Sequence, residues 1–262
     1  MPKTNQIKLG QRLKILALSV SGGGKTRLLA SFPGPMYIFD FDNRLTTIAK
    51  DFPERDDIEY DTYGIDNFKK YVSKLERLQD HCPYSTVVLD SITALTVTSV
   101  LYSLGETHGK TIAGLAVPDF GEYNVETTTV TRTLEILKML PCHLIVTAHP
   151  LSRIETTGSG KTMKVQKIRS LVSYGAKVGS LIPNYFDEVY ALQDMMDQSG
   201  NKSRYLFTQS TEDDILAKTS LPLPEKIDIT NRRVYDILKT ILKEKGIDIE
   251  DKPKGSNQIE FV

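Results

Sequence analysis

Three adjacent glycines followed by a lysine and a threonine close the run Ser19-Val20-Ser21-Gly22-Gly23-Gly24-Lys25-Thr26. Glycines allow main-chain N–H groups to approach an anion closely. A lysine at that point can contact the β and γ phosphates of a nucleotide, and a threonine hydroxyl can ligate Mg2+. The usual pattern has a glycine where Ser19 stands, which asks for a less permissive backbone there. A near twin, Gly158-Ser159-Gly160-Lys161-Thr162, presents the same residue types. Delivery separates the two, because a phosphate loop needs a buried strand leading in and a helix starting at its end. Lys14 to Leu18 is apolar, and a helical pattern runs from Lys25 to Phe32 until Pro33-Gly34 stops it. The twin follows Arg153-Ile154-Glu155-Thr156-Thr157, with no apolar strand before it and no helix after it. Ser21, Gly22, Gly23, Gly24, Lys25 and Thr26 are therefore expected to bind ATP or GTP, and the twin to form a hairpin turn.

A carboxylate at the end of a neighbouring strand can hold the water shell of a Mg2+ carried by Thr26. Asp90 meets that description, closing the apolar run from Thr86; its competing role is to cap the helix that follows. Further along, Leu151 to Ile182 holds Arg153, Lys161, Lys164, Lys167, Arg169 and Lys177 against the single acid Glu155, a local charge of +5. With glycines, threonines and Tyr174 among the bases, the segment suits a mobile loop that follows a nucleic-acid backbone and stacks one base. A solvated basic hairpin is the competing reading.

The elements that must position these groups alternate between short apolar runs and helical patterns, the pattern of a parallel sheet with crossover helices. Strands are expected at Lys14 to Leu18, Met36 to Phe41, Ser85 to Leu89 and His143 to Ala148, with further strands in FDEVYAL and SRYLFTQ. Helices are expected over Ile65 to Leu78, Asn124 to Leu140 and Asn231 to Lys245, the last with Val234, Ile237, Leu238, Ile241 and Leu242 on one face and Gly246 as its cap. This predicts one α/β domain over 1–250, with a basic loop at 151–182 and a loose tail at 251–262. Lys and Arg together equal Asp and Glu at 33 each, so any attraction to nucleic acid must be local. Cys82 and Cys142 have neither metal-ligand spacing nor a disulfide framework and are expected as reduced thiols. With no signal-peptide core and no run near the roughly 20 apolar residues of a membrane span, a cytoplasmic protein with no membrane partner is expected.

The run VVLDSITALT resembles the Walker B segment of the RecA recombinases. MYIFDFDNRL is similar to the RecA strand ending in an acidic pair, and HLIVTAHP to the strand whose last polar residue senses the γ-phosphate. The resemblance implies a P-loop NTPase with a RecA-like core, with Asp42 as general base beside Asp40 and His149 as sensor, an Asp and a His where the family usually has Glu and Gln. The chain looks closest to the phage-encoded RecA-like ATPases of the Sak type, which promote single-strand annealing in recombination. Features in the same order are SVSGGGKT, FDFD, LDS, VPDFGEY, TAHP, IPNYFDEVYAL and AKTSLPLP. That resemblance implies Mg2+ and ATP as cofactors and a DNA-binding loop after His149, with Arg153, Lys161, Lys164, Lys167 and Arg169 meeting single-stranded DNA. It also implies a homo-oligomeric ring or filament in which Lys218 reaches a neighbour's ATP, and a single-strand-binding protein as accessory. Competing readings stand beside these: Asp42 as a solvated carboxylate, His149 as a structural histidine, Lys218 as a surface lysine. A DNA-binding scaffold with negligible turnover, or a replication or packaging motor, stands as the alternative function.

Overall fold

A computed structural model describes residues 12–108, 118–157, 164–196, 200–210 and 216–251. The twin motif, Lys161 within it, and most of the expected tail lie outside the described residues. In chain order the framework begins with Lys14–Leu18 (β1), Lys25–Ala30 (α1), Met36–Asp40 (β2), Thr46–Asp51 (α2), Ile58–Thr62 (β3), Phe68–Asp80 (α3) and Thr86–Asp90 (β4). Ile92–His108 (α4), Phe120–Met139 (α5), His143–Ala148 (β5), Pro150–Thr157 (β6), Lys164–Leu171 (β7) and Ala176–Leu181 (α6) follow. Glu188–Met196 (β8), Lys202–Phe207 (β9), Lys226–Asp228 (β10) and Val234–Glu244 (α7) complete it.

Eight strands form one sheet in the order β10-β9-β8-β1-β5-β4-β2-β3. From β3 across to β8 every pairing is parallel, and β9 and β10 add an antiparallel edge. Parallel strands need crossovers, and the crossover helices cover both faces of the sheet, so β2, β4 and β5 are buried along their whole length. Alternate residues feed two apolar layers. Leu16, Leu18, Val87, Leu89, Leu144 and Val146 pack with Tyr71 and Leu75 of α3, Leu95 of α4 and Leu134 of α5. Ile15, Ala17, Val88 and Ile145 pack on the other face with Leu28 of α1 and Leu238 of α7. The fold is α/β with a mostly parallel sheet between helices, as the pattern of apolar runs predicts, and it has the architecture that the resemblance implies.

Several boundaries differ from the sequence reading. α5 starts at Phe120 instead of Asn124, because Asp119 accepts from the Gly121 N–H (2.7 Å) and Glu122 accepts from the Asp119 N–H (3.0 Å), a capping box. α1 stops at Ala30 and α7 runs from Val234 to Glu244, shorter than expected. The end of α7 is as anticipated: Gly246 adopts φ 75 while its N–H and that of Ile247 close on Lys243 and Leu242 at 3.0 and 2.9 Å. α4 has no expected counterpart, since its apolar residues lie all round, with Leu95 and Val100 buried but Val97 and Leu101 exposed. The free Cys82 and Cys142 thiols stand 3.9 Å apart.

Over 151–182 the mobile loop is corrected, and the strands follow the hairpin reading. In place of a mobile loop, β6 and β7 form a separate two-stranded antiparallel ribbon, in register from Pro150↔Leu171 to Thr157↔Lys164, and α6 follows. Ile154, Thr156, Thr157, Val165 and Ile168 are β-branched and favour pairing, a preference masked by the basic composition. The ribbon is tied down at its root. The Val172 N–H donates to the His149 carbonyl (2.9 Å), and the Tyr174 and Gly175 N–H groups donate to the carboxylate of Glu126, which is fully buried. Burial pushes the Glu126 carboxyl above its ordinary pKa, opposed by those two N–H groups.

Glu126→Ala leaves two main-chain donors without their acceptor, and a cost of about 1–3 kcal/mol is expected. Urea unfolding measures the loss, and hydrogen exchange at Tyr174 and Gly175 should accelerate well before exchange in β5.

Candidate nucleotide-binding site

β1 delivers the phosphate loop. Beyond its end, the Ser19 N–H still reaches the Ala148 carbonyl at 3.3 Å, so the loop leaves the sheet alongside β5. The residues that need left-handed backbone are Gly22 (φ 77) and Gly24 (φ 92), the latter capping α1. Ser19 is not among the positive-φ residues, so a glycine is not required there. Its hydroxyl donates to the Val20 carbonyl (3.0 Å) and fills the space at Gly23, where an added Cβ would lie 1.8 Å from Ser19 Oγ. The departure from the usual motif is thus a local exchange: a side chain at 19 requires none at 23.

Lys25 is buried with its ammonium on the Ser19 carbonyl (2.7 Å) and 3.4 Å from His149 Nδ1. Burial lowers its pKa, against the raising effect of Asp90 and Asp42. Asp90, at the end of β4, is buried and accepts from the Thr147 hydroxyl of β5. Burial pushes its carboxyl up to about 6, with the Thr147 bond pulling the other way and the neighbouring Asp42 and Asp40 adding to the rise.

The acidic pair divides its work. Asp40 is buried and turned into its own loop, accepting from the Asn43 N–H (2.7 Å) and the Thr62 hydroxyl (3.3 Å). Asp42 faces the cleft: Oδ1 accepts from the Ser91 hydroxyl (2.8 Å), and Oδ2 lies 4.0 Å from His149 Nε2. His149 follows β5 and is pinned by its main-chain N–H, which donates to Thr93 Oγ1 (3.1 Å). Burial and the adjacent Lys25 lower its pKa, so the ring is neutral near pH 7. With Nδ1 beside an ammonium, the proton on Nε2 fits both neighbours and points toward Asp42.

These groups line one cleft of about 310 Å³. Every residue predicted for nucleotide, metal or catalysis lies on its wall: Ser21 through Thr26, Asp42, Asp90 and His149. Four that sequence reasoning missed join them, the first being Arg27 of α1, paired with Asp51 of α2 at 3.0 Å. Arg44 donates to Ser21 Oγ (3.2 Å), Thr47 lies on α2, and Arg204 arrives from β9, across β8. Arg44 sits just beyond the FDFD run and was within reach of inspection, whereas nothing local marks Arg204. The ribbon carries Arg153, Lys164, Lys167 and Arg169, opposite Ile168, Thr157, Ile154 and Ser152 in register. Lys218 is exposed, bonded through its main chain to Val189, and is not on the wall of its own chain's cleft.

The donor set fits a magnesium-bound polyphosphate: a glycine cradle, a buried lysine, the Thr26 hydroxyl beside it and a carboxylate held close to ionisation at neutral pH. Thr26 and Asp90 would hold Mg2+, which when bound neutralises phosphate charge. Among the described residues no cluster of three or more His, Cys, Asp or Glu side chains could bind a metal alone.

The chain matches the family model described as an AAA domain (AAA_24) over residues 11–221. That span covers most of the chain, so the protein belongs to this AAA-type P-loop NTPase family, a class of nucleotide-binding ATPase domains. No curated protein matches it.

Asp90 must be ionised to help hold the metal, and its pKa of about 6 places the loss within reach. Mg2+-ATP affinity, followed by calorimetry, should fall as pH drops below that value, approaching about ten-fold per unit, with Asp90→Asn flattening the profile. The same raised pKa costs folding energy that builds as pH rises from about 4 and is complete above about 6. Asp90→Asn should therefore stabilise the protein at pH 7–8, by on the order of 2–3 kcal/mol, with the gain vanishing below about pH 4 where the unfolded carboxyl is also protonated.

Proposed function

We propose that the protein is a Mg2+-dependent ATPase, similar to the Sak-type RecA-like enzymes, that binds single-stranded DNA in recombination or strand annealing. The observation that carries this reading is the convergence on one cleft of Lys25, at the start of α1, with Asp42, Asp90 and His149, at or just beyond the ends of β2, β4 and β5. The ribbon starts at the residue after His149 and bonds back to its carbonyl. Lys25 and the glycine loop bind the phosphates. Asp42 orients a water and takes its proton, its angle set by the Ser91 hydroxyl on Oδ1. His149, neutral and poised between Lys25 and Asp42, donates to the terminal phosphate and reports its presence to the ribbon root.

The ribbon follows the DNA backbone through Arg153, Lys164, Lys167 and Arg169, and Lys161 of the segment between its strands acts with them. Assembly into a homo-oligomer brings Lys218 to a neighbour's nucleotide. Its loop has the stiffness this needs, since Glu188 accepts from the Ser220 N–H and hydroxyl at 3.0 and 2.6 Å and from Thr219. The reading treats 1–250 as one ATPase domain with a tail at 251–262, working in the cytoplasm with a single-strand-binding protein as accessory. Among the described residues no helix is long and apolar enough to cross a membrane. One observation favours a second reading, a nucleotide-gated DNA scaffold with negligible turnover: Asp42 is a short side chain already engaged by Ser91.

ATP hydrolysis with and without single-stranded DNA separates the two. Under the ATPase reading DNA raises the rate and Asp42→Asn lowers it by about 10²-fold or more; undetectable turnover in the unaltered protein supports the scaffold. Neutralising Lys164, Lys167 and Arg169 together should abolish the stimulation, leave the basal rate, and reduce the salt slope of DNA binding by about 2 on a log–log plot. Unchanged DNA binding in that triple variant would remove the ribbon from the interface.

A further inference from the structure

A second cavity, of about 390 Å³, adjoins the phosphate cleft and shares Gly24, Arg27 and Arg204 with it. It lies between α1, the β8–β9 edge and the chain leading into α7. Its wall carries apolar side chains, Leu28, Phe52, Leu192 and Ile229, the hydrogen-bonding groups of Thr230 and Asn231, and charged residues in which arginines predominate: Arg27, Arg204, Arg232 and Arg233 beside Lys202, Asp51 and Asp194. Its volume is in the range of small-molecule sites; the apolar side chains can pack on a flat heterocycle, and the polar and cationic groups can meet ring nitrogens, ribose hydroxyls and phosphate.

Arg204 stands where the two cavities meet. Its guanidinium donates to both oxygens of Asp194, Nε to Oδ1 at 2.7 Å and Nη2 to Oδ2 at 3.1 Å. Nη1 is turned to the phosphate loop: a Cβ at Gly24 would lie 2.5 Å from it. Lys202 Nζ also reaches Asp194 Oδ2, at 2.7 Å, so the carboxylate keeps a cation when Arg204 swings away. The strand beneath is fixed, because the Arg204 N–H donates to Thr230 Oγ1 (2.8 Å) and its carbonyl accepts from Ile229 (2.9 Å). A rigid backbone with an exchangeable ion-pair partner is the arrangement a side chain needs to move between two acceptors.

We infer that the second cavity holds the base and ribose of a nucleotide whose phosphates lie in the glycine loop, and that Arg204 exchanges Asp194 for the phosphate chain when that nucleotide binds. The inference rests on the nucleotide reading of the first cleft. It adds which side of the loop the nucleoside takes and which residue of the same chain, beyond Lys25, meets the phosphates. Gly24 is then required for two reasons, its left-handed backbone and the room its missing side chain leaves for the guanidinium.

Calorimetry with Mg2+ and either ATP or inorganic tripolyphosphate, joined to photolabelling by 8-azido-ATP with peptide mapping, tests it on the full chain. The unaltered protein should bind ATP at least about ten-fold more tightly than tripolyphosphate, because only ATP fills the second cavity. The label should fall on Phe52 or on residues 229–233. Arg204→Ala should weaken both ligands by about ten-fold, with Arg204→Lys recovering part, while Asp194→Asn, by freeing the guanidinium, should tighten them. A purely structural Arg204–Asp194 pair would move both substitutions in the same direction, with parallel falls in melting temperature. ATP binding with equal affinity for tripolyphosphate, or with the label elsewhere, overturns the inference and leaves the phosphate site standing. Absence of any ATP binding overturns both.

Discussion

The site is organised around a buried ammonium. Lys25 is held on the Ser19 carbonyl, with His149 beside it and Asp90 and Asp42 close enough to act on its charge. A cation can stay in so dry a place only with acceptors and carboxylates around it, and each neighbour is perturbed in return. The ring of His149 loses proton affinity, and Asp90 keeps a pKa near 6 in spite of the lysine because its own burial outweighs the attraction. Loop shape follows the same constraint. The Ser19 carbonyl is available because residue 19 keeps an ordinary backbone, and the left-handed turns fall to Gly22 and Gly24.

From this cluster the main chain runs without a break into the ribbon. His149 is bonded through its N–H to Thr93 and through its carbonyl to Val172, while Tyr174 donates to Thr96 one turn further along α4. α4 itself begins two residues after Asp90. One helix start therefore holds the carboxylate strand, the histidine and both ends of the ribbon, with Glu126 of α5 as a second clamp. Hydrogen bonds at several points between regular elements tie these groups mechanically to the cleft.

Much of this was legible in local pattern. Buried parallel strands are nearly uniform apolar runs, and β1, β2, β4 and β5 were read from such runs to within a residue or so. β3 escaped notice because it is a mostly exposed edge strand with alternating acids, IEYDT. α4 escaped because helix periodicity is visible only when one face is polar; the hairpin was legible at its turn, while the length of its strands was masked by their basic residues. At the site, the phosphate loop, Asp42, Asp90 and His149 were each marked by a strand end followed by a polar residue. Arg204 carries no such mark, since an arginine in SRYLFTQ reads as any exposed charge on an edge strand.

By itself the sequence indicated which strand ends could carry chemistry, and that the motif at 19–26 has a buried strand before it and a helix after it. These are short-range facts, written in hydrophobic period and glycine placement. Only the tertiary structure decided that β5 lies between β1 and β4, which sets His149 between Lys25 and the carboxylates, and that β9 comes within an arginine's reach of Gly24. Strand order in a parallel sheet is chosen by how crossover helices share two apolar layers. That packing is a property of distant residues together, and no local stretch of sequence contains it.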